Sequence, residues 1–133
     1  MIRDLRAKKE IAEKWDTVKK LCAWRRGVSL PGVFYNETPP PTFYNLPLVL
    51  AYSVLEEVLN TLESEGVFQC NAWQLGRKMG ASKMALRWQD FTQVDRGRDA
   101  RNALAHDAKL LSRMECLRFV DAIERELKAW NII

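Results

Sequence analysis

A chain of 133 residues, 47% hydrophobic and 29% charged, can bury one core and is neither disordered nor fibrous in composition. Its net charge of +4 is unevenly spread. Residues 1–26 carry nine basic and four acidic side chains (+5), residues 27–75 carry five Glu and no Lys or Arg (−5), residues 76–118 carry ten basic and five acidic (+5), and the last fifteen come to −1. Two basic segments around an acidic one suit attraction of a polyanion, and equally a set of solvated helix faces. Cys22, Cys70 and Cys116 lack the spacing of a zinc site or a disulfide framework. Each sits beside apolar residues, so they read as buried thiols in a reducing cytoplasm. No stretch resembles a signal peptide or a membrane span, so no membrane partner is expected.

Apolar residues at steps of three and four predict an amphipathic helix over residues 3–25. Its stripe is Leu5, Ile11, Ala12, Trp15, Val18, Leu21 and Cys22, with Gly27 as the stop. Residues 27–46 hold Gly27, Pro31, Gly32, Pro39, Pro40 and Pro41 and read as irregular. Val33, Phe34, Tyr35, Phe43 and Tyr44 make this an ordered loop lying across the helices or across a partner, rather than a free linker. The clearest helix is 46–65, with Asn45 as cap, Pro47 in the first turn, Leu48, Ala51, Tyr52, Leu55, Val58, Leu59 and Leu62 inward, and Gly66 ending it. Asn71 and Gly80 bracket a short helix with Trp73, Leu75 and Met79.

Ser82 is placed to cap the next helix, through Met84, Leu86, Trp88, Phe91 and Val94. Gly97 is a point of bending or breakage, with helix resuming over 98–106. Ser112-Arg113-Met114-Glu115 is a capping box, and the last helix runs to about Trp130 with Leu117, Val120, Ile123, Leu127 and Trp130 inward. Period-2 alternation and internal repeats are lacking, so residues 1–133 read as one all-α bundle of four to five helices. The tryptophans fit a core better than a base-stacking platform. Trp24 and Trp130, near helix ends, are the better candidates for a partner surface. Ser53, Ser82 and Ser112 have no nucleophile-elbow setting, and Gly80 and Gly97 form no phosphate loop.

His106 is the only histidine, hence the one side chain whose unperturbed pKa suits proton transfer near neutrality. Arg101 stands five residues before it and Asn102 follows the Arg. At about 100° per residue, Asp99, Asn102 and His106 share a helix face, while Arg101 lies roughly 140° from His106. Three ways of joining Arg101 to His106 remain: the backbone departs from α, Arg101 reaches around, or a second copy completes the site. Such a set suits RNA cleavage. A His moves the protons of the 2′-hydroxyl and the leaving 5′-oxygen, and an Arg holds the phosphate bidentately as charge builds. The plainer alternative is a polar helix end with Arg101 paired on the surface. Glu56 and Glu57 either face a cleft and orient these groups or lie on the surface.

The run Arg101-Asn102-Ala103-Leu104-Ala105-His106 resembles the motif of the HEPN superfamily: Arg, then four to six residues beginning with a polar one, then His. The helical setting is similar over roughly residues 46–130. The resemblance implies a HEPN-like helical bundle working as a two-fold dimer. It implies a metal-independent endoribonuclease without cofactor, of the toxin or phage-defence type, with RNA as substrate and an antitoxin or defence-system partner. Carried over, Arg101 and His106 are the catalytic pair and Asn102 orients His106 or the phosphate. One toxin subgroup has a Tyr two residues after the His, where a partner enzyme modifies it; Ala108 stands there, so that antitoxin mechanism is not implied. The alternative implied by the same resemblance is a non-catalytic interaction domain that binds RNA, a nucleotide or a protein.

Overall fold

The computed structural model describes residues 1–24, 26–30 and 33–133, with side chains described at 1–24 and 38–133. Five α helices carry the described fold: α1 (Leu5–Cys22), α2 (Asn45–Ser64), α3 (Leu75–Ser82), α4 (Phe91–Asp107) and α5 (Arg113–Ala129). The helical architecture expected from the periodicity is present. None of the described helices is long and apolar enough to cross a membrane.

α2 is the central element, with α1, α3, α4 and α5 packed around it. Its buried residues run round much of the helix, including Leu48, Tyr52, Val54, Leu55, Val58 and Leu62. A helix apolar on so many sides must be enclosed by its neighbours. α1 lies antiparallel on it. Its Asp4 cap accepts the amides of Arg6 and Ala7, while the amides of Arg3 and Asp4 both donate to Glu65 at the far end of α2. Lys14 Nζ reaches Glu57 at 2.7 Å midway along the pair. α5 adds Val120, Ile123 and Leu127 to the core, and starts at the expected capping box, in which Ser112 and Glu115 bond reciprocally.

Several local expectations are corrected. Part of the irregular 27–46 stretch is an antiparallel hairpin, β1 (Arg26–Leu30) paired with β2 (Val33–Glu37), in the register Arg26 with Glu37 and Leu30 with Val33. The ladder satisfies backbone groups that a loop would leave to water. Pro31 and Gly32 lie outside the described residues, as does the expected packing of the Val33, Phe34 and Tyr35 side chains. Farther on, Tyr44 is fully buried and Phe43 packs against Trp24 with ring centroids 5.3 Å apart. Asn45 does not cap α2. It lies inside the first turn, buried, and its amide donates to Thr42 O and Leu111 O while its Oδ1 accepts Leu111 N–H, so it ties the α4–α5 connection to the start of α2.

Ser82 does not start a helix either. It ends α3, donating to Met79 O and accepting from Trp88 Nε1, and α4 begins only at Phe91 behind an Asp90 cap. Proximal carbonyls and an indole compete for the hydroxyl that would otherwise cap. Leu5 and Met84, placed on apolar stripes, are exposed. Gly97 does not break α4, which is continuous through it. A Cβ there would overlap the Tyr52 hydroxyl and stand 2.8 Å from two ring carbons of Phe119. Tyr52 Oη donates to Val94 O at 2.7 Å, so side chains of both α2 and α5 occupy the space a Cβ at Gly97 would take.

Candidate functional site

The C-terminal half of α4 forms one wall of an open cleft of about 660 Å³. From α4 it is lined by Arg98, Arg101, Asn102, Ala105 and His106. These positions follow the three-and-four spacing of one helix face, a stripe roughly 140° wide. Asn102 and Ala105 lie along its middle, and Arg101 and His106 lie at its two margins. α4 stays α-helical through both residues, so no departure of the backbone joins them. The cleft itself spans the angle between them. Immediately after the motif Ala108 takes a left-handed conformation (φ 50°, ψ 35°) and turns the chain off the helix.

The opposite wall comes from α2 and the start of α3. Glu56 of α2 is half-buried and faces the cleft, whereas its neighbour Glu57 is engaged by Lys14. Of the two glutamates left open by the sequence, Glu56 is therefore the one at the site. Trp73, Gln74, Leu75, Gly76 and Arg77 complete the wall. Gly76 admits Arg98: a Cβ on it would stand 3.0 Å from the guanidinium carbon. Arg98 also pairs with Asp95 at 2.9 Å, one turn earlier on α4.

The charges of the cleft are unequally satisfied. Arg98 has its Asp95, and Lys78, just beyond the cleft on α3, has Glu63 at 3.2 Å. Among the described residues, no carboxylate lies within ion-pair distance of Arg77 or Arg101. Arg101 is half-buried, its guanidinium carbon 5.9 Å from the Tyr52 ring centre, and its Nε is buried with no hydrogen-bond partner. Tyr52 beneath it is a poor acid, because burial pushes its phenol well above the ordinary value, with Arg101 and Arg98 opposing. Trp15 Nε1 and Tyr44 Oη, in the core, are buried without a partner in the same way. The Nε therefore reports packing under Arg101, and it is the absence of a carboxylate near the guanidinium, among the described residues, that leaves its charge unmatched.

Arg101, Asn102 and His106 thus line one cleft, and among the described residues Arg101 forms no surface ion pair of the kind the plainer alternative expects. Asp99 shares the helix face of Asn102 and His106, as expected of a continuous helix, but does not line the cleft: it stands on the wall of a neighbouring depression with Arg96, Lys109 and Glu115. His106 is exposed, and among the described residues it has no hydrogen-bond partner. Sequence reasoning missed Arg98, Arg77 and Trp73. Arg98 was recoverable, since it precedes Arg101 by three residues and Asn102 by four. Arg77 and Trp73 come from a separate element, with no local sign of the cleft.

The tryptophans divide differently from the expectation. Trp15 is buried, and Trp24 is half-exposed at the end of α1. Trp130 is not on a partner surface: it is 3% exposed, packed edge-on against Trp88, with Nε1 donating to Arg87 O. Trp73, expected in the core, is 79% exposed. The three cysteines are unpaired; Cys116 is buried and Cys22 and Cys70 are half-buried. Burial pushes the Cys116 thiol up to about 11, which makes it a poor nucleophile. Among the described residues no group of three or more His, Cys, Asp or Glu is arranged to hold a metal ion. In comparisons with known proteins, no family model matches the chain, and no curated protein or solved structure matches it either.

Proposed function

We propose that this chain is a HEPN-type endoribonuclease that cuts RNA in the α3–α4 cleft without a metal or cofactor. The observation that carries this reading is the cleft itself. It gathers Arg101, which has no carboxylate within ion-pair distance among the described residues, and His106 beside two further arginines. A phosphodiester supplies the negative charge that Arg101 lacks among the described residues. Arg101 holds the phosphate and stabilises the charge that builds on its oxygens, and Arg77 and Arg98 draw in the adjoining backbone. His106 moves protons between the 2′-hydroxyl and the leaving 5′-oxygen. Asn102, between them on the stripe, orients His106 or the phosphate. The products are a 2′,3′-cyclic phosphate and a 5′-hydroxyl. In this reading the protein is a two-fold dimer whose second copy brings another motif to the open side of the cleft. It acts as a toxin or phage-defence effector in the cytoplasm, restrained by an antitoxin or defence-system partner.

The test compares cleavage rate, RNA affinity and thermal midpoint for wild type, His106→Ala, Arg101→Ala and Arg101→Lys, with sedimentation at micromolar concentration to weigh the particle. His106→Ala loses activity by on the order of 10²–10⁴-fold. Arg101→Lys rescues poorly, because an ammonium cannot grip two phosphate oxygens in one plane. Affinity changes less than rate in each. A particle twice the 15.4 kDa chain mass is expected. Wild-type cleavage by His106→Ala ends the enzymatic reading.

One observation favours a second reading. His106 lacks a partner to fix its tautomer and orientation, a feature that general bases ordinarily have. A non-catalytic domain that binds RNA, a nucleotide or a protein needs no such partner. It would bind through the same arginines and show no His106-dependent cleavage.

A further inference from the structure

The cleft has an aromatic wall that the proton-transfer scheme does not use. Trp73 is 79% exposed, yet it lines the same cleft as Arg77, Arg101 and His106. Trp15, Trp88 and Trp130 are wholly or mostly covered, and Trp24 has Phe43 against its ring. No ring of the described residues is stacked on Trp73. Arg77, four residues on in the first turn of α3, is exposed and has no carboxylate within ion-pair distance among the described residues. An open indole and an unengaged guanidinium on the same cleft wall match the two halves of one nucleotide, a flat base and an anionic phosphate.

We propose that Trp73 stacks an unpaired nucleobase while Arg77 holds the adjacent phosphate, which makes single-stranded RNA the substrate class of this cleft. The inference rests on the cleft being the RNA site described above. Bases inside a duplex are stacked on one another and cannot lie against a side chain, so an indole platform selects loops, bulges and free strands. Stacking accepts every base, so the platform fixes strandedness rather than base identity. It also anchors the strand close to Arg101 and His106, where the scissile phosphate must stop.

Binding is measured with the His106→Ala form, so that the RNA is not consumed. The probes are a fluorescein-labelled oligouridylate and the same strand annealed to oligoadenylate. Trp73→Ala should weaken single-strand binding roughly 5- to 150-fold, the loss expected for one base–aromatic stack, and leave duplex binding nearly unchanged. Trp73→Phe should keep most of the affinity, and intrinsic fluorescence quenching by the oligouridylate should be largely absent from it. Because the indole is exposed, the thermal midpoint should not move. Equal single-strand affinity in Trp73→Ala and its parent would overturn the proposal, as would an equal loss for both probes. A shift of Trp73→Ala to a lighter particle in sedimentation would also overturn it, assigning the indole to contact with a second copy. Trp73-dependent binding without any His106-dependent cleavage would keep the platform and remove the ribonuclease. His106-dependent cleavage indifferent to Trp73 would do the reverse.

Discussion

Gly97→Ala is the sharpest test of how α4 is seated. On an exposed helix this exchange is favourable by about 1 kcal/mol, because alanine is the better helix former. Here the added methyl overlaps the Tyr52 hydroxyl and comes to 2.8 Å of the Phe119 ring. Tyr52 has no easy retreat, since it is fully buried and holds Val94 O at 2.7 Å, whereas Phe119 of α5 is half-buried and can yield in part. Overpacking costs roughly 1–3 kcal/mol, and displacing a buried hydroxyl from its acceptor costs about another 1–3. Set against the propensity gain, the net loss is roughly 3 kcal/mol, or about 10 °C in melting midpoint for a chain of this length. Urea and thermal denaturation of the single variants and of Gly97→Ala/Tyr52→Phe form the double-mutant cycle. Removing the hydroxyl relieves part of the clash, so the double variant should be less destabilised than the sum of the two singles by about 1–2 kcal/mol. A neutral or stabilising Gly97→Ala would show that α2 and α4 do not approach as described, and the floor beneath Arg101 would go with them.

Three further outcomes are expected. RNA cleavage should persist in EDTA and leave 2′,3′-cyclic phosphate and 5′-hydroxyl ends by mass spectrometry; complete loss in chelator, restored by Mg²⁺, would refute the His106/Arg101 chemistry. Ala108→Gly should raise stability by about 1 kcal/mol, or roughly 3–4 °C, because a glycine adopts the left-handed φ of 50° without the Cβ clash; an unchanged or lower midpoint would place Ala108 in another conformation. Finally, Glu65 has its carboxyl held below the ordinary range by the amides of Arg3 and Asp4. The unfolded chain therefore binds the proton more readily, so this stabilisation is present above the ordinary glutamate value and is lost as pH falls through the lower folded one. Glu65→Gln should flatten that acid limb of the stability curve, and an unaltered limb would contradict the contact.

What could be read in the sequence was whatever one element decides alone. The capping box at Ser112 and Glu115 is local chemistry, and it is found as written. The inward faces of α2 and α5 follow from their spacing, and so does the shared face of Asn102 and His106; that Arg101, roughly 140° from His106, lines the same cleft does not. What could not be read was decided between elements. Asn45 has the composition of a cap, but Leu111, 66 residues away, offers it both a carbonyl and an amide. Ser82 likewise has a cap's side chain, but Trp88 and Met79 claim it. Trp73 and Trp130 are equally hydrophobic. One finds Trp88 and the Arg87 carbonyl and is buried, while the other has only the cleft. The hairpin escaped notice because its glycine and proline residues read as breaks and its strands lack strict alternation.

Two glycines inside helices show that packing and site are a single construction. Each forgoes about 1 kcal/mol of helix propensity relative to alanine. At Gly97 the close neighbour is a tyrosine fixed in the core; at Gly76 it is the guanidinium of Arg98, the far end of a flexible side chain. A methyl at the first site disturbs the fold, whereas at the second it mainly moves a cation. Gly97 thus sets the depth of α4 against α2, which brings Tyr52 under Arg101, and Gly76 lets α3 come close enough for Arg98 to line the shared cleft. The cleft's positive wall is therefore produced by the same close approaches that fill the core. Arg101 is held at that wall over the Tyr52 ring, with no carboxylate among the described residues near enough to pair with it.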